Sequence, residues 1–236
     1  MVVLKKRSII IVSVLLATIL TFILCFSALS LKPIYNVSAD KLRIILDAGH
    51  GGIDGGVEGV RTGVKESELN LSVVKKLEQY LISAGMSVKL TRTSDAGLYG
   101  VATSNLKKRD MERRREIIKE FNPHIVVSVH MNKFSMSSRR GAQVFYKASD
   151  SYSKLLAQNV QKSFNQMEDA VRDCSILTGD YYILNCSDYA SIITECGFLS
   201  NPDDEALLIK DDYQDKIAYA IFKGIVDYLS SSEVEL

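Results

Sequence analysis

Apolar positions follow two different spacings along residues 42–236 of the chain. Short, dense apolar runs predict buried strands, and these cover residues 43–47, 87–91, 125–129, 141–146, 181–185 and 191–194. Between the runs, apolar residues recur at the helical period and predict helices over residues 66–84, 106–121, 151–168, 202–209 and 213–229. Strands that alternate with helices are typical of an α/β fold. We therefore predict a three-layer α/β/α sandwich around a twisted, mainly parallel sheet.

The first 31 residues follow neither spacing. Lys5, Lys6 and Arg7 precede an uncharged run over residues 8–31, which as a helix would be about 36 Å long. Such a helix can cross a hydrocarbon core of about 30 Å, and its uninterrupted apolar character argues against a helix of a soluble core. Because basic residues beside a membrane segment stay in the cytoplasm, we predict an N-terminal transmembrane or signal helix and an exported remainder.

This helix has two alternative fates. The small residues of Val37-Ser38-Ala39 have the spacing that a signal peptidase reads, whereas the length of the run is equally typical of a retained anchor. Both alternatives predict a basic flank and signal or anchor helix over residues 1–31, a linker over 32–41 and one exported domain over 42–236. The domain is then extracytoplasmic, either membrane-anchored or secreted.

Charge and cysteine content exclude some classes of function. The formal net charge is +1, which provides no field for binding nucleic acid. The exported part contains Cys174, Cys186 and Cys196, an odd number without a CxxC or CxxH pattern. We interpret them as ordinary thiols rather than zinc ligands or a disulfide framework. A Cys174–Cys186 bridge remains the alternative.

Candidate chemistry lies at the ends of the first, third and last predicted strands. His50, His130 and Glu195 follow these strands beside small or polar residues. Because the carboxyl ends of parallel strands meet at one edge of a sheet, we expect the three side chains to lie close together. Glu66 opens the helix that follows the first of these strands. Two imidazoles and one carboxylate suit an open zinc site, and the other carboxylate is then left to act on the metal-bound water. The pattern predicts a zinc hydrolase.

Several of these residues have competing interpretations. The glycine-rich segment 47–52 lacks the GxxxxGK[ST] and GxGxxG patterns of nucleotide loops, so a phosphate site is disfavoured. Glu66 and Glu68 both lie in the first turn of the predicted helix over residues 66–84. Their spacing alone does not decide which of them is a metal ligand. Glu195 fits a general base, but a buried ion pair with an arginine is the alternative. His124 begins its strand after Pro123, at the opposite edge, and is expected to be structural.

A set of motifs in a fixed order resembles one family, the zinc-dependent N-acetylmuramoyl-L-alanine amidases of bacterial cell walls. The motifs are DAGHGGIDGG (47–56), KESELNL (65–71), TRTSD (91–95), SVHMN (128–132), GAQVFY (141–146) and ITECGFLSNPDDEALL (193–208). Within this family the chain looks most like the germination-specific, spore-cortex branch. The size, the single membrane segment, the lack of a wall-binding repeat and the tail 213–225 all suit that branch.

The resemblance implies that His50, Glu66 and His130 hold Zn²⁺ and that Glu195 is the catalytic carboxylate. The implied reaction is hydrolysis of the amide between N-acetylmuramic acid and L-alanine in peptidoglycan, as the first step towards muramic-δ-lactam in spore cortex. Divisional relatives carry an autoinhibitory helix after the second histidine, and residues 131–140 are too few for it. Open access to the metal also implies that a partner protein helps to retain zinc.

Two other classes compete with this interpretation. One is a non-catalytic peptidoglycan-binding module, which would have no use for Glu195 beside the metal. The other is a different zinc hydrolase of the cell wall, such as a carboxypeptidase or a sugar deacetylase with the same ligands. Release of intact stem peptides with a free N-terminal alanine distinguishes the amidase from both.

Overall fold

The computed structural model of the protein describes residues 42–231, together with Leu15 and Thr18. The chain divides into two units, Met1–Ala39 and Asp40–Leu236. Apart from these two residues, the predicted transmembrane or signal helix over residues 8–31 lies outside the described residues. The predicted linker lies outside them as well. Within the described part, no helix is both long enough and apolar enough to cross a membrane.

The described domain contains six strands and six helices. The strands are β1 (Arg43–Ala48), β2 (Ser87–Leu90), β3 (Ile125–Asn132), β4 (Gln143–Tyr146), β5 (Leu177–Thr178) and β6 (Ala190–Phe198). The helices are α1 (Glu66–Ser83), α2 (Leu106–Phe121), α3 (Ser151–Asn165), α4 (Tyr182–Asn185), α5 (Pro202–Leu208) and α6 (Asp211–Leu229). The predicted α/β fold is confirmed.

The six strands form one sheet in the order β2-β1-β3-β6-β4-β5. Strands β2, β1, β3 and β6 are parallel to one another, and β4 runs antiparallel to β6. The sheet is therefore mainly parallel, as predicted. The chain order reverses beside β1, with β2 on one side and β3 on the other. Such a switch point leaves a crevice at the carboxyl ends of the strands, where ligands bind in α/β folds.

Alternate residues of the strands face two separate cores. On one face, Ile44 and Leu46 of β1 join a large cluster with the apolar residues of α1, α3 and α6. On the other face, Ile45 joins a smaller cluster with residues of α2 and α4. Helices thus cover both faces, but the second face carries only one long helix and one short one.

The strand predicted at residues 181–185 is wrong. Residues Tyr182–Asn185 form the short helix α4, and the edge strand β5 lies earlier, at Leu177–Thr178. Ile183 and Leu184 are both buried in the smaller core. Neighbouring residues of a strand point to opposite faces, so a strand could not bury both in one cluster. A helical turn can.

Candidate metal centre

Three side chains from three elements converge at the switch point of the sheet. His50 follows β1, His130 lies near the end of β3, and Glu66 is the first residue of α1. Glu66 Oε1 is 3.3 Å from His50 Nε2 and 2.9 Å from His130 Nδ1. One donor atom from each residue lies within 4.8 Å of the others. The group can therefore hold a metal ion.

Glu66 is held in place by the surrounding backbone. Its side chain is 2% exposed, and Oε1 accepts hydrogen bonds from Met131 N and Asn70 Nδ2, both at 3.2 Å. Oε2 accepts a hydrogen bond from Val57 N at 2.9 Å. Burial disfavours the charged form, but the hydrogen bonds and charges of the two histidines outweigh it and keep the pKa of Glu66 below its usual range. Glu68, the competing carboxylate, is exposed.

The backbone at His50 turns into the left-handed region. His50 has φ of 62°, between an extended strand and the glycines Gly51 and Gly52. After this turn the ring of His50 lies beside that of His130, with the two ring centroids 5.0 Å apart. Burial lowers the pKa of His50, but hydrogen bonds and charges from Glu66 and Asp54 raise it to about 9. Asp54 Oδ1 lies 3.0 Å from Nδ1, so the two ring nitrogens face different carboxylates.

His130 is packed against a glycine. A Cβ atom added at Gly49 would lie 2.2 Å from Cε1 and 2.3 Å from Nε2 of the His130 ring. Gly49 N also donates a hydrogen bond to Val129 O at 3.1 Å. The absence of a side chain at Gly49 therefore creates the space that the imidazole occupies.

Two buried arginines hold the segment that carries His50. Arg114 of α2 donates to Ala48 O at 2.8 Å and to His50 O at 2.6 Å, and it also pairs with the carboxylates of Asp47 and Asp110. Arg92 donates to Ala48 O and to Gly49 O, both at 2.9 Å. The backbone carbonyl oxygens of residues 48–50 thus all accept hydrogen bonds from guanidinium groups.

Asp47 gives the first of these arginines its counter-charge. Its carboxylate accepts hydrogen bonds from Ser128 Oγ and Thr91 Oγ1, both at 2.6 Å. Burial disfavours the charged form, but the charge of Arg114 and the two hydroxyl groups lower the pKa of Asp47 to about 2. The pair is a fully buried ion pair beneath the metal centre.

Glu195 lies directly beside His130. The two residues are register partners on the parallel strands β6 and β3. Within the described part of the chain, Glu195 forms no ion pair, and its buried Oε2 has no hydrogen-bond partner. Burial raises the pKa of Glu195 to about 7, with the charge of His130 opposing and that of Glu66 adding to the shift. The alternative, a buried ion pair of Glu195 with an arginine, is therefore wrong, and the carboxylate that forms a buried ion pair with an arginine is that of Asp47.

The centre lies in a cleft of about 780 Å³. His130, Glu195 and Ile193 contribute to its lining from the sheet, and residues of α2 and of the segment 181–183 contribute from both sides. Three tyrosines also line it, namely Tyr99, Tyr181 and Tyr182. The three candidate donors and Glu195 therefore line one accessible cleft.

A distant glutamate fastens the loop that leads to Glu66. Glu205 of α5 is 1% exposed. Its carboxylate accepts hydrogen bonds from Arg61 N at 2.8 Å, Thr62 N at 2.7 Å and Thr62 Oγ1 at 2.6 Å. Within the same loop, Val60 N donates to Leu199 O at 3.1 Å. The loop between β1 and α1 is therefore attached to the C-terminal part of the domain.

The remaining candidates are His124 and the three cysteines. His124 Nδ1 accepts a hydrogen bond from Arg43 N at 3.0 Å at the start of β1, in keeping with a structural role. Cys174, Cys186 and Cys196 are free thiols, so the alternative of a Cys174–Cys186 bridge is wrong.

Sequence reasoning missed the residues that support the centre. These are Asp47, Gly49, Asp54, Asn70, Arg92, Arg114 and Glu205. For one of them a signal was present, since Asp47 is a carboxylate inside an apolar strand and such a group requires a partner. The partner itself had no signal, because Arg114 stands among several arginines of one charged helix.

Comparison with known proteins places the chain in a family. The family model described as N-acetylmuramoyl-L-alanine amidase matches residues 44–227. The germination-specific N-acetylmuramoyl-L-alanine amidase of Bacillus subtilis is 34% identical over 191 residues, which are 79% of each protein. The CwlD amidase from Clostridioides difficile, solved in complex with the GerS lipoprotein, has a TM-score of 0.78 and 37% identity, covering 80% of this chain and 99% of that one. An N-acetylmuramoyl-L-alanine amidase from Clostridium difficile 630 has a TM-score of 0.73 and 29% identity, covering 82% and 100%.

Proposed function

The chain belongs to the N-acetylmuramoyl-L-alanine amidase family and is an enzyme of that activity, and from this premise we propose how its residues perform the reaction. His50, Glu66 and His130 hold a zinc ion, and Glu195 is the general base. One observation carries the proposal. An unpaired, buried carboxylate oxygen lies on the strand next to a His-Glu-His group, and desolvating such a group without a function is costly.

The donors fit zinc in kind and in number. Zinc in catalytic sites takes three protein ligands from histidine nitrogen and carboxylate oxygen, and it keeps one position open. Glu66 supplies an ionised oxygen, and the cleft leaves the group accessible from one side. When bound, zinc supplies Lewis-acid activation of water and of the scissile carbonyl.

Glu195 moves the proton in this scheme. In its ionised form it takes a proton from the attacking water as the new C–O bond forms at the lactyl carbonyl of N-acetylmuramic acid. It then delivers that proton to the alanine nitrogen as the C–N bond breaks. The products are a lactyl carboxylate on the glycan and a stem peptide with a free amino group. A pKa raised to about 7 suits both halves of this transfer.

The substrate is peptidoglycan, with its glycan strand and stem peptides lying along the open cleft. Tyr99, Tyr181 and Tyr182 provide aromatic surface along it. The basic flank and apolar segment at the N-terminus support an extracytoplasmic substrate. The domain over residues 42–236 lies outside the cytoplasm, released or held by the segment 8–31, because its substrate is in the cell wall.

The biological role is stem-peptide removal in spore cortex, which prepares muramic-δ-lactam formation. Two similarities support this role, the 34% identity to a germination-specific amidase and the TM-score of 0.78 to the CwlD amidase solved with the GerS lipoprotein. The similarity to the CwlD amidase, which was solved in complex with a lipoprotein, also supports an accessory protein that stabilises zinc binding in this chain. No nucleic-acid partner is part of the proposal.

The reaction is tested with the full-length chain in detergent, zinc-loaded, on purified peptidoglycan. Mass spectrometry should detect new N-terminal L-alanine on intact stem peptides. Removal of the metal with a chelator should abolish this release, and zinc should restore it. Release that persists in the metal-free protein would contradict a zinc mechanism.

The cortex role requires a separate test. The gene is expressed in a spore-forming host that lacks its own germination-specific amidase, and cortex muropeptides are analysed for muramic-δ-lactam. Its restoration supports the role, whereas an active amidase that leaves the cortex without the lactam would argue for a different wall substrate.

A further inference from the structure

We propose that Asp54 is a positioning residue that sets which nitrogen of His50 faces the metal. The inference rests on the proposed function, since it assumes that His50 is a ligand. Asp54 lines the same cleft but is not one of the three donors. It lies four residues after His50 in the glycine-rich loop.

The argument begins with the two nitrogens of one ring. Asp54 Oδ1 lies 3.0 Å from His50 Nδ1, and Glu66 Oε1 lies 3.3 Å from His50 Nε2. A carboxylate only accepts hydrogen bonds, so Nδ1 must carry a proton to bond to Asp54. The lone pair that binds a metal is then left on Nε2, which faces Glu66 and the centre.

Asp54 is itself held in position. Gly51 N donates to Asp54 O at 2.8 Å and Asp54 N donates to Gly51 O at 3.3 Å. Its side-chain Oδ1 also accepts a hydrogen bond from Gly56 N at 3.1 Å. The tight turn after His50 therefore places the carboxylate beside the ring, and the ring does not have to recruit it from solvent.

The second histidine is positioned by a different device. His130 Nδ1 faces Glu66, and within residues 42–231 its Nε2 has no hydrogen-bond partner. Its ring is instead confined by the bare Cα of Gly49. Within residues 42–231, only His50 of the two histidines is thus bonded to a carboxylate outside the three donors, and removing that carboxylate should affect one ligand without disturbing the other.

A carboxylate bonded to a metal-binding histidine orients the ring and raises its basicity, and its loss typically weakens metal binding by about 10–100-fold. We expect a weakening of that size in Asp54→Ala. In Asp54→Asn the amide oxygen can still accept from Nδ1, so this variant should recover part of the affinity. Fold disruption is not expected, because the Asp54 side chain is 43% exposed.

The test measures the zinc dissociation constant of the full-length chain in detergent by competition with a chromophoric chelator. Wild type is compared with Asp54→Ala and Asp54→Asn. Glu58→Ala is the matched control, since it removes one negative charge from an exposed position of the same loop. The expected order of affinity is wild type and Glu58→Ala equal, then Asp54→Asn, then Asp54→Ala.

Three outcomes overturn parts of the scheme separately. Equal zinc affinity of wild type and Asp54→Ala overturns the role of Asp54 and leaves the zinc site intact. A wild type that binds no zinc overturns the proposed function itself. The third outcome is a loss of zinc affinity that is equally large in Asp54→Asn and Asp54→Ala, with a lower melting temperature of the metal-free protein in both variants. That outcome would make Asp54 merely structural.

Discussion

His130 and Glu195 are register partners on the adjacent parallel strands β3 and β6. Paired residues of neighbouring parallel strands project from the same face of the sheet, and the strands are about 4.8 Å apart. The spacing between a candidate metal ligand and the candidate base is therefore set by backbone hydrogen bonding. It does not depend on the conformation of a loop.

Replacing Glu195 should separate catalysis from metal binding. We expect Glu195→Gln to lower the rate of N-terminal alanine release at least 100-fold, because general base catalysis typically contributes about 10²–10⁴-fold. Its zinc affinity should stay within a few-fold of wild type, since the three donors remain. The two readouts are product release by mass spectrometry and chelator competition. An equal loss of both would identify Glu195 as a ligand instead.

The same substitution should stabilise the metal-free protein, but only at higher pH. Glu195 has a pKa raised from 4.5 to about 7, so the folded state binds the proton more tightly than the unfolded state. Its contribution to stability is then lost as pH rises from 4.5 to about 7. At pH 8 we expect Glu195→Gln to exceed wild type by roughly 2–3 kcal/mol in free energy of unfolding.

Urea denaturation of chelator-treated protein at pH 4.5 and pH 8 measures this difference. The advantage of Glu195→Gln should be small at the lower pH, where wild type is itself protonated. An advantage of the same size at both values would show that packing of the amide, and not ionisation, is responsible.

Adding one methyl group at Gly49 should disable the centre. The Cβ of Gly49→Ala would lie 2.2 Å from the His130 ring, so the imidazole must move away from Glu66. We expect zinc affinity and alanine release each to fall at least tenfold. Gly55→Ala in the same loop is the control, because its Cβ meets only the flexible side chain of Lys65, at 3.1 Å. Equal effects of the two variants would show that the loop tolerates no side chain at all.

Removing the charge of Asp47 should destabilise the fold. Asp47→Asn leaves the buried guanidinium of Arg114 with Asp110 as its remaining counter-charge. Breaking one partner of a buried ion pair costs roughly 3–5 kcal/mol, and we expect about 3 kcal/mol because Asp110 remains. Urea denaturation measures it, with the exposed Asp188→Asn as control. A change below about 1 kcal/mol would mean that Asp110 alone balances the arginine.

The sheet and its site were largely predictable from local pattern. Four strands of the parallel part and five helices follow from the apolar pattern, because these strands are buried on both faces and each helix packs one apolar face against the sheet. The gathering of His50 and His130 follows from strand order, since both stand at carboxyl ends beside the switch point. The helical conformation of Tyr182–Asn185 could not be predicted from local pattern. Its adjacent residues Ile183 and Leu184 are buried through contacts with residues distant in sequence.

The choice between Glu66 and Glu68 shows the limit of sequence reasoning in another way. Both are acidic residues of the first helical turn. They differ in the structure because backbone groups of Val57 and Met131, from two separate segments, bond to only one of them. Contacts between segments that are distant in sequence cannot be read from residue spacing. The supporting residues Arg92 and Asn70 were missed for the same reason, since they bond to groups of other segments.

The attachment of the loop to Glu205 determines the order in which the site can mature. Arg61 and Thr62 bond to a side chain more than 140 positions later, and His130 gains its register partner only with Glu195. A chain that emerges from its N-terminus first therefore lacks the fastened loop before the candidate ligand Glu66, and lacks the candidate base, until its last 40 or so residues have been added. Incomplete chains would carry both histidines without the fastened loop or the candidate base, and we expect them to be inactive on peptidoglycan.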